Sequence, residues 1–233
     1  MPTVFRDPWI PDGEKSVYSV RPADQPQGFE MTNLIVREPG GYLSTVEARI
    51  GGAGRGGTEL AMTIEQRFKR AGERLRAEHY RAETRSGGMV VSREEATFLH
   101  TTHLQFGAGP APFPLNIMPI AGGLTLLRGL EFTEGHVEQI DVWLAFSVHW
   151  PLIARIEKRT TVEVPAGTVP CWQVRLRPGF AQVNMLLDKV IGGILPPFIA
   201  HFEEAAPHRL VRMSFPTQLA LSGQRALLEL TAS

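Results

Sequence analysis

The residues best suited by type to do chemistry are a few histidines, one aspartate and one cysteine. His149 sits beside Trp150 in an apolar run. With Asp141 or His201 near it, it would be a base in an apolar pocket. His149, Asp141 and His201 are thus the candidate acid–base groups if the chain is an enzyme, although a histidine satisfied in a core or at its rim is the commoner case. His100 and His103 lie three apart. On a helix they would share a metal; on a strand they face opposite sides, and the surroundings read as strand, so no metal site is expected. Cys171, the single cysteine, forms neither an internal disulfide nor a thiolate zinc site. With no helix start or cation beside it, it reads as a small core residue. The run Gly52-Ala53-Gly54-Arg55-Gly56-Gly57 spells a dinucleotide-binding fingerprint, but the residues after it alternate like a strand where that fingerprint needs a helix. It reads as a hairpin loop. No serine stands in a nucleophile-elbow sequence. No cofactor is implied.

The composition narrows the partners. The 233 residues carry 24 Lys+Arg against 24 Asp+Glu, a formal charge of zero. A nucleic-acid partner normally demands a basic field, and an anionic membrane surface a basic cluster. Neither is expected. The apolar segments are broken by Asp188, Lys189, Gly192-Gly193 and Pro196-Pro197, so none reaches the roughly 18 clean residues of a membrane span. Met1 to Pro8 lacks the basic start and apolar run of an export signal. The chain as it stands reads as cytoplasmic, or as periplasmic or envelope if a leader has been trimmed. Its length suits one large all-β domain, residues 1–233. Oligomeric state is not legible.

The elements that must position these side chains are mostly strands. Glu14–Val20, Phe29–Arg37 and Tyr42–Ile50 alternate with period two. Thr58–Ala82 is built from helix formers, yet Leu60, Met62, Ile64 and Phe68 share one parity and Glu59, Thr63, Glu65, Arg67 and Lys69 the other. Pattern overrides propensity, and the stretch is expected to be a hairpin turning at Arg70–Glu73. Met89–His103 returns as a strand. Gly107–Gly123 holds four prolines among large apolar groups and cannot be a central strand. Such a loop packs down or lines a mouth. Val137–Trp150, Ile153–Val164, Val169–Arg177, Phe198–Glu203, Arg209–Phe215 and Ala226–Leu230 complete the strands.

One segment breaks the rule. In Gln182–Ile194, Val183, Leu187, Val190 and Ile194 fall on one helical face with Leu186 and Ile191 beside them. A lone amphipathic helix must bury its stripe, and the only large surface on offer is a sheet. The expected fold is mainly β: a curved antiparallel sheet, a half-barrel or open barrel, with one helix packed on its concave face.

Two stretches resemble a known family. Thr161–Val174, with its Pro165-Ala166-Gly167-Thr168 turn, and Ala206-Pro207-His208-Arg209-Leu210-Val211-Arg212 are similar to segments of the bacterial domain-of-unknown-function family 3108. Pro11-Asp12-Gly13-Glu14 before Val17-Tyr18 is similar to that family's start. The matches cover about a quarter of the chain in the family's order. The resemblance implies an antiparallel sheet curled into a half-barrel like that of the lipoprotein-carrier chaperones, whose concave face holds acyl chains under a helical lid. It supplies no catalytic residue.

These features together point to a binding or carrier protein for a hydrophobic small molecule: an acyl chain, lipid or isoprenoid held between sheet and helix. Phe113, Leu115, Ile117, Met118 and Trp143, with Leu186, Leu187, Val190, Ile191 and Ile194, are the expected ligand-binding set. The alternative is a cofactor-free enzyme, an isomerase, cyclase or hydrolase, acting on an apolar substrate in the same cavity.

Overall fold

The computed structural model describes residues 3–22, 28–51, 59–104, 109–145, 148–179, 196–216 and 224–233. Strands dominate, as the alternation requires. The first six run in a meander: β1 (Glu14–Pro22), β2 (Phe29–Glu38), β3 (Gly41–Ile50), β4 (Leu60–Ala71), β5 (Arg74–Ser86) and β6 (Met89–Thr97). A small hairpin follows, β7 (Thr102–Leu104) with β8 (Pro110–Pro112), then the short β9 (Ile117–Pro119). The second half contributes β10 (Val137–Ala145), β11 (Val148–Val164), β12 (Gly167–Pro178), β13 (Phe198–Glu203), β14 (Leu210–Pro216) and β15 (Arg225–Ala232). Thirteen of these form one sheet, in the order β6-β5-β4-β3-β2-β1-β15-β14-β13-β12-β11-β10-β9. Every pairing is antiparallel except β9 with β10.

The sheet curls into an open barrel. Bulges at Arg67/Phe68, Ile156/Lys158 and His201/Phe202 supply local bends. The curl brings β9 alongside β5 without a hydrogen-bonded ladder between them. Across that seam Tyr80 meets Trp143 edge to face, with centroids 5.1 Å apart. One core fills the curve. Tyr18, Ile35, Tyr42 and Phe68 from the first half pack with Ile140, Ile156, Val174 and Phe202 from the second.

The two ends of the barrel differ. One is plugged. The segment Ile120–Gly129, two turns of 3-10 helix flanking the short α1 (Gly123–Leu126), buries Leu124, Leu126 and Leu127 in the core. Across the same end runs the N-terminal segment, in which Phe5 and Ile10 are fully buried. It is held by Arg6 N–H to Gly129 O (2.7 Å), Leu75 N–H to Phe5 O (2.9 Å) and Asp7 N–H to Glu73 O (2.8 Å). Gly129 is required at this crossing, because a Cβ there would lie 2.0 Å from the Arg6 carbonyl oxygen. The buried Asp7 carboxylate accepts from Tyr42 Oη (2.6 Å) and pairs with Arg70.

At the other end β2 begins, β3 finishes and β4 begins, while β14 ends and β13 begins. Here the inward side chains are only half-buried: Phe29, Met31, Met62, Phe198, Met213 and Phe215. The expected Gln182–Ile194 helix lies between β12 and β13 in sequence, outside the described residues.

Three expectations are revised. Val137–Trp150 is not one strand: β10 ends at Ala145, and β11 starts at Val148 and turns back along it. Met89–His103 breaks after Thr97, and His100 adopts a left-handed φ of 58°. The Pro-rich stretch is not wholly irregular, since Ile117–Pro119 joins the sheet as its parallel edge strand. The expected Thr58–Ala82 hairpin forms as β4 and β5.

Candidate functional site

The hairpin between β10 and β11 assembles the first site. Trp143 faces His149 in register, and Asp141 faces Pro151. Asp141 and His149 thus become diagonal neighbours on one face, with Asp141 Oδ1 3.5 Å from His149 Nδ1. That nitrogen is buried, with no hydrogen bond among the described residues. His201 does not join them. It lies on β13 opposite Gln173, which in turn faces Lys158, nine residues along β11 from His149. That separation is roughly 30 Å at strand spacing. Burial, Arg212 and Lys158 push the His201 imidazole down to about 4, so it stays neutral there.

Aromatic rings surround the Asp141–His149 pair. Phe98 edges onto Phe113 at 5.1 Å and onto Trp143 at 5.6 Å. His103 stacks flat on Phe113, with centroids 3.9 Å apart and planes 2° apart, and stands 5.8 Å from the His149 ring. Burial and the neighbouring His149 hold His103 below its usual value. Sequence reasoning set His103 aside because it weighed only a metal shared with His100. Phe113, which stacks on that ring just after β8, was named in the ligand-binding set without His103 beside it.

The expected ligand-binding residues divide. Ile117, Met118 and Trp143 are buried, Phe113 is half-buried, and Leu115 is 39% exposed. Leu186, Leu187, Val190, Ile191 and Ile194 lie outside the described residues. The half-buried rim at the end opposite the plug was not picked out from sequence. Its six residues are spread over β2, β4, β13 and β14, strands that alternate like all the others.

A second concavity lies at the plugged end, a cleft of about 460 Å³. Its wall holds Trp9, Phe132, Trp172 and His208, with Arg6, Arg128 and Arg159 among them. Phe132 packs against His208 at 4.2 Å and tilts onto Trp172 at 6.5 Å. Arg159 lies over the Trp172 ring at 4.7 Å and pairs with Glu204 at 2.9 Å. Trp9, 62% exposed, and His208 both hold left-handed backbone, φ 55° and 54°. Each such non-glycine residue costs about 1–2 kcal/mol, and strain of this kind gathers at functional surfaces. His208 Nδ1 donates to Glu203 O at 2.9 Å, and burial holds the ring below its usual value.

Cys171 is fully buried on the outer side of the sheet with Val162 and Val211, and burial pushes its thiol up to about 12. It is no nucleophile in this state. Among the described residues no group of three or more His, Cys, Asp or Glu is arranged to hold a metal, and no helix is long and apolar enough to cross a membrane.

No protein-family model matches the chain, and no curated protein is similar to it in sequence. Among solved structures, the chain resembles a β-barrel-like protein of the domain of unknown function DUF1849 from Brucella abortus. The TM-score is 0.56 at 10% identity, over 93% of this chain and 94% of that one. A putative exported protein with a YmcC-like fold from Bacteroides fragilis overlays at a TM-score of 0.33 and 9% identity, covering 98% of both chains, too loosely to carry an argument. The fold is thus a β-barrel-like one of unknown function.

Proposed function

We propose that this chain is a binding or carrier protein for a hydrophobic small molecule, an acyl chain, lipid or isoprenoid, taken up at the end of the half-barrel opposite the plug. The observation that carries the reading is the rim of half-buried thioethers and rings: Met31, Met62, Phe198, Met213 and Phe215. Large apolar side chains left half-exposed around one mouth, while the opposite end is sealed, suit an apolar guest. Methionine adapts its shape to irregular chains. Burial of the guest supplies about 25 cal/mol per Å² before ordering costs. We also infer kinship with family 3108. The Pro165–Thr168 turn joins β11 to β12, and the Ala206–Arg212 segment runs into β14, as that family's order of segments implies.

Native mass spectrometry of the purified chain, with thermal-shift titration against a fatty-acid panel, tests the carrier reading. A co-purified lipid or a saturable rise in Tm is the expected outcome. Neither one appearing would contradict it.

A second reading, a cofactor-free isomerase, cyclase or hydrolase, draws on the Asp141–His149 pair. Turnover of a long-chain nitrophenyl ester that disappears in His149→Ala, while fatty-acid binding persists, would favour it over the carrier.

A further inference from the structure

The cleft at the plugged end is built from well-separated parts of the chain and stands apart from the open mouth. We infer that it is a second binding site, for a small planar aromatic carboxylate.

Its shape and lining select the ring. About 460 Å³ between Trp9, Phe132 and Trp172 accommodates a bicyclic aromatic body. Such a body stacks on indole, phenyl and guanidinium planes alike.

Its charges select the sign. The tryptophan faces already carry guanidiniums, Arg159 over Trp172 at 4.7 Å and Arg70 over Trp9 at 5.0 Å. A cationic ligand meets rings whose cation sites are taken. The rim acids are engaged too, Glu131 by Arg6 at 2.5 Å and Glu204 by Arg159 at 2.9 Å. Behind the wall, the buried Glu14 faces two guanidiniums, Arg128 at 2.6 Å and Arg209 at 3.7 Å, and Arg209 Nε is buried with no hydrogen bond among the described residues. Tyr18, in the same cluster, adds no negative charge, because burial pushes its hydroxyl up to about 12. The cluster behind the cleft therefore holds one more guanidinium than carboxylate, and Arg6 and Arg159, paired with Glu131 and Glu204 yet 52% and 65% exposed, have further N–H donors to turn to a ligand carboxylate.

The two left-handed residues, Trp9 and His208, give the wall a second, independent mark of a site. The chain holds both in a strained backbone within the lining of one cleft.

Isothermal titration calorimetry on the full chain with 2-naphthoate, 2-naphthamide and 2-naphthylmethylammonium tests the proposal. Naphthoate is expected to bind one to one, at least about tenfold more tightly than the amide, with the ammonium ion weakest. Arg159→Ala, at a side chain 65% exposed, should weaken naphthoate by about tenfold with an unchanged Tm. Phe215→Asp, at the far mouth, should leave naphthoate affinity as it is, whatever it does to fatty-acid binding. Absent naphthoate binding, equal affinity for acid and amide, or an indifferent Arg159→Ala would each overturn the proposal. Loss of naphthoate in Phe215→Asp would overturn it as well, since the probe would then sit in the mouth.

Discussion

Arg128 and Glu14, 114 residues apart, meet in a buried two-pronged ion pair, with Nη1 to Oε1 at 2.6 Å and Nη2 to Oε2 at 3.0 Å. Their side chains are 1% and 6% exposed. The pair fastens the helical plug to β1, and with it the sealed end of the barrel. Removing one partner leaves the other charge buried and poorly compensated. Arg128→Met should cost about 3–5 kcal/mol in urea denaturation. The double variant Glu14→Gln/Arg128→Met should recover a good part of that loss. A single-variant cost below about 1 kcal/mol would show that the plug is not held by this pair.

Gln66 is fully buried on β4, and neither of its amide atoms has a hydrogen-bond partner among the described residues. A buried polar group in that state costs about 1–3 kcal/mol, and an apolar group of similar shape removes the cost. Gln66→Met should raise Tm by several degrees. A fall in Tm would mean that the amide is satisfied by a buried water.

The path from sequence to site was uneven for physical reasons. The β4–β5 hairpin was legible because strict alternation of apolar and charged residues outweighs the helix propensity of Glu, Leu, Met and Lys. The β10–β11 turn was not. Ala145-Phe146-Ser147-Val148 contains no Gly, Pro, Asn or Asp to mark it, so the alternation ran through to Trp150. Asp141 and His149 then stood eight residues apart on one strand, about 26 Å, when the hairpin sets them 3.5 Å apart. The plugged-end cleft was out of reach for another reason. Trp9, the Arg128–Phe132 run, Trp172 and His208 come from four separate stretches, and only the fold brings them together.

His201 predicts an acid sensitivity. Its folded value, pushed down to about 4, lies below the ordinary 6.5. Between those values the unfolded chain takes up a proton that the folded chain refuses, so stability falls as pH drops from about 6.5 to about 4. His201→Gln should flatten that slope by up to one proton's worth. His103 and His208, also held down by burial, keep their own contributions in the variant. Parallel stability curves for wild type and variant across this window would contradict the assignment.

Cys171 should be silent to thiol reagents. It is fully buried with its thiol pushed up to about 12. Ellman's reagent should find no reactive thiol in the native chain and one in denaturant. Rapid reaction in the native state would place the side chain nearer solvent than described.

The central claim, an apolar guest at the open end, is tested most directly by fluorescence titration with cis-parinaric acid. Phe215, half-buried at the rim and stacked near Phe198 with centroids 6.5 Å apart, is the residue to change. The account predicts saturable one-to-one binding to the wild type, reversed by palmitate. It predicts at least about tenfold weaker binding to Phe215→Asp, because a carboxylate at an apolar rim is costly to desolvate. No saturable binding to the wild type, or equal affinity in a correctly folded Phe215→Asp, would contradict it.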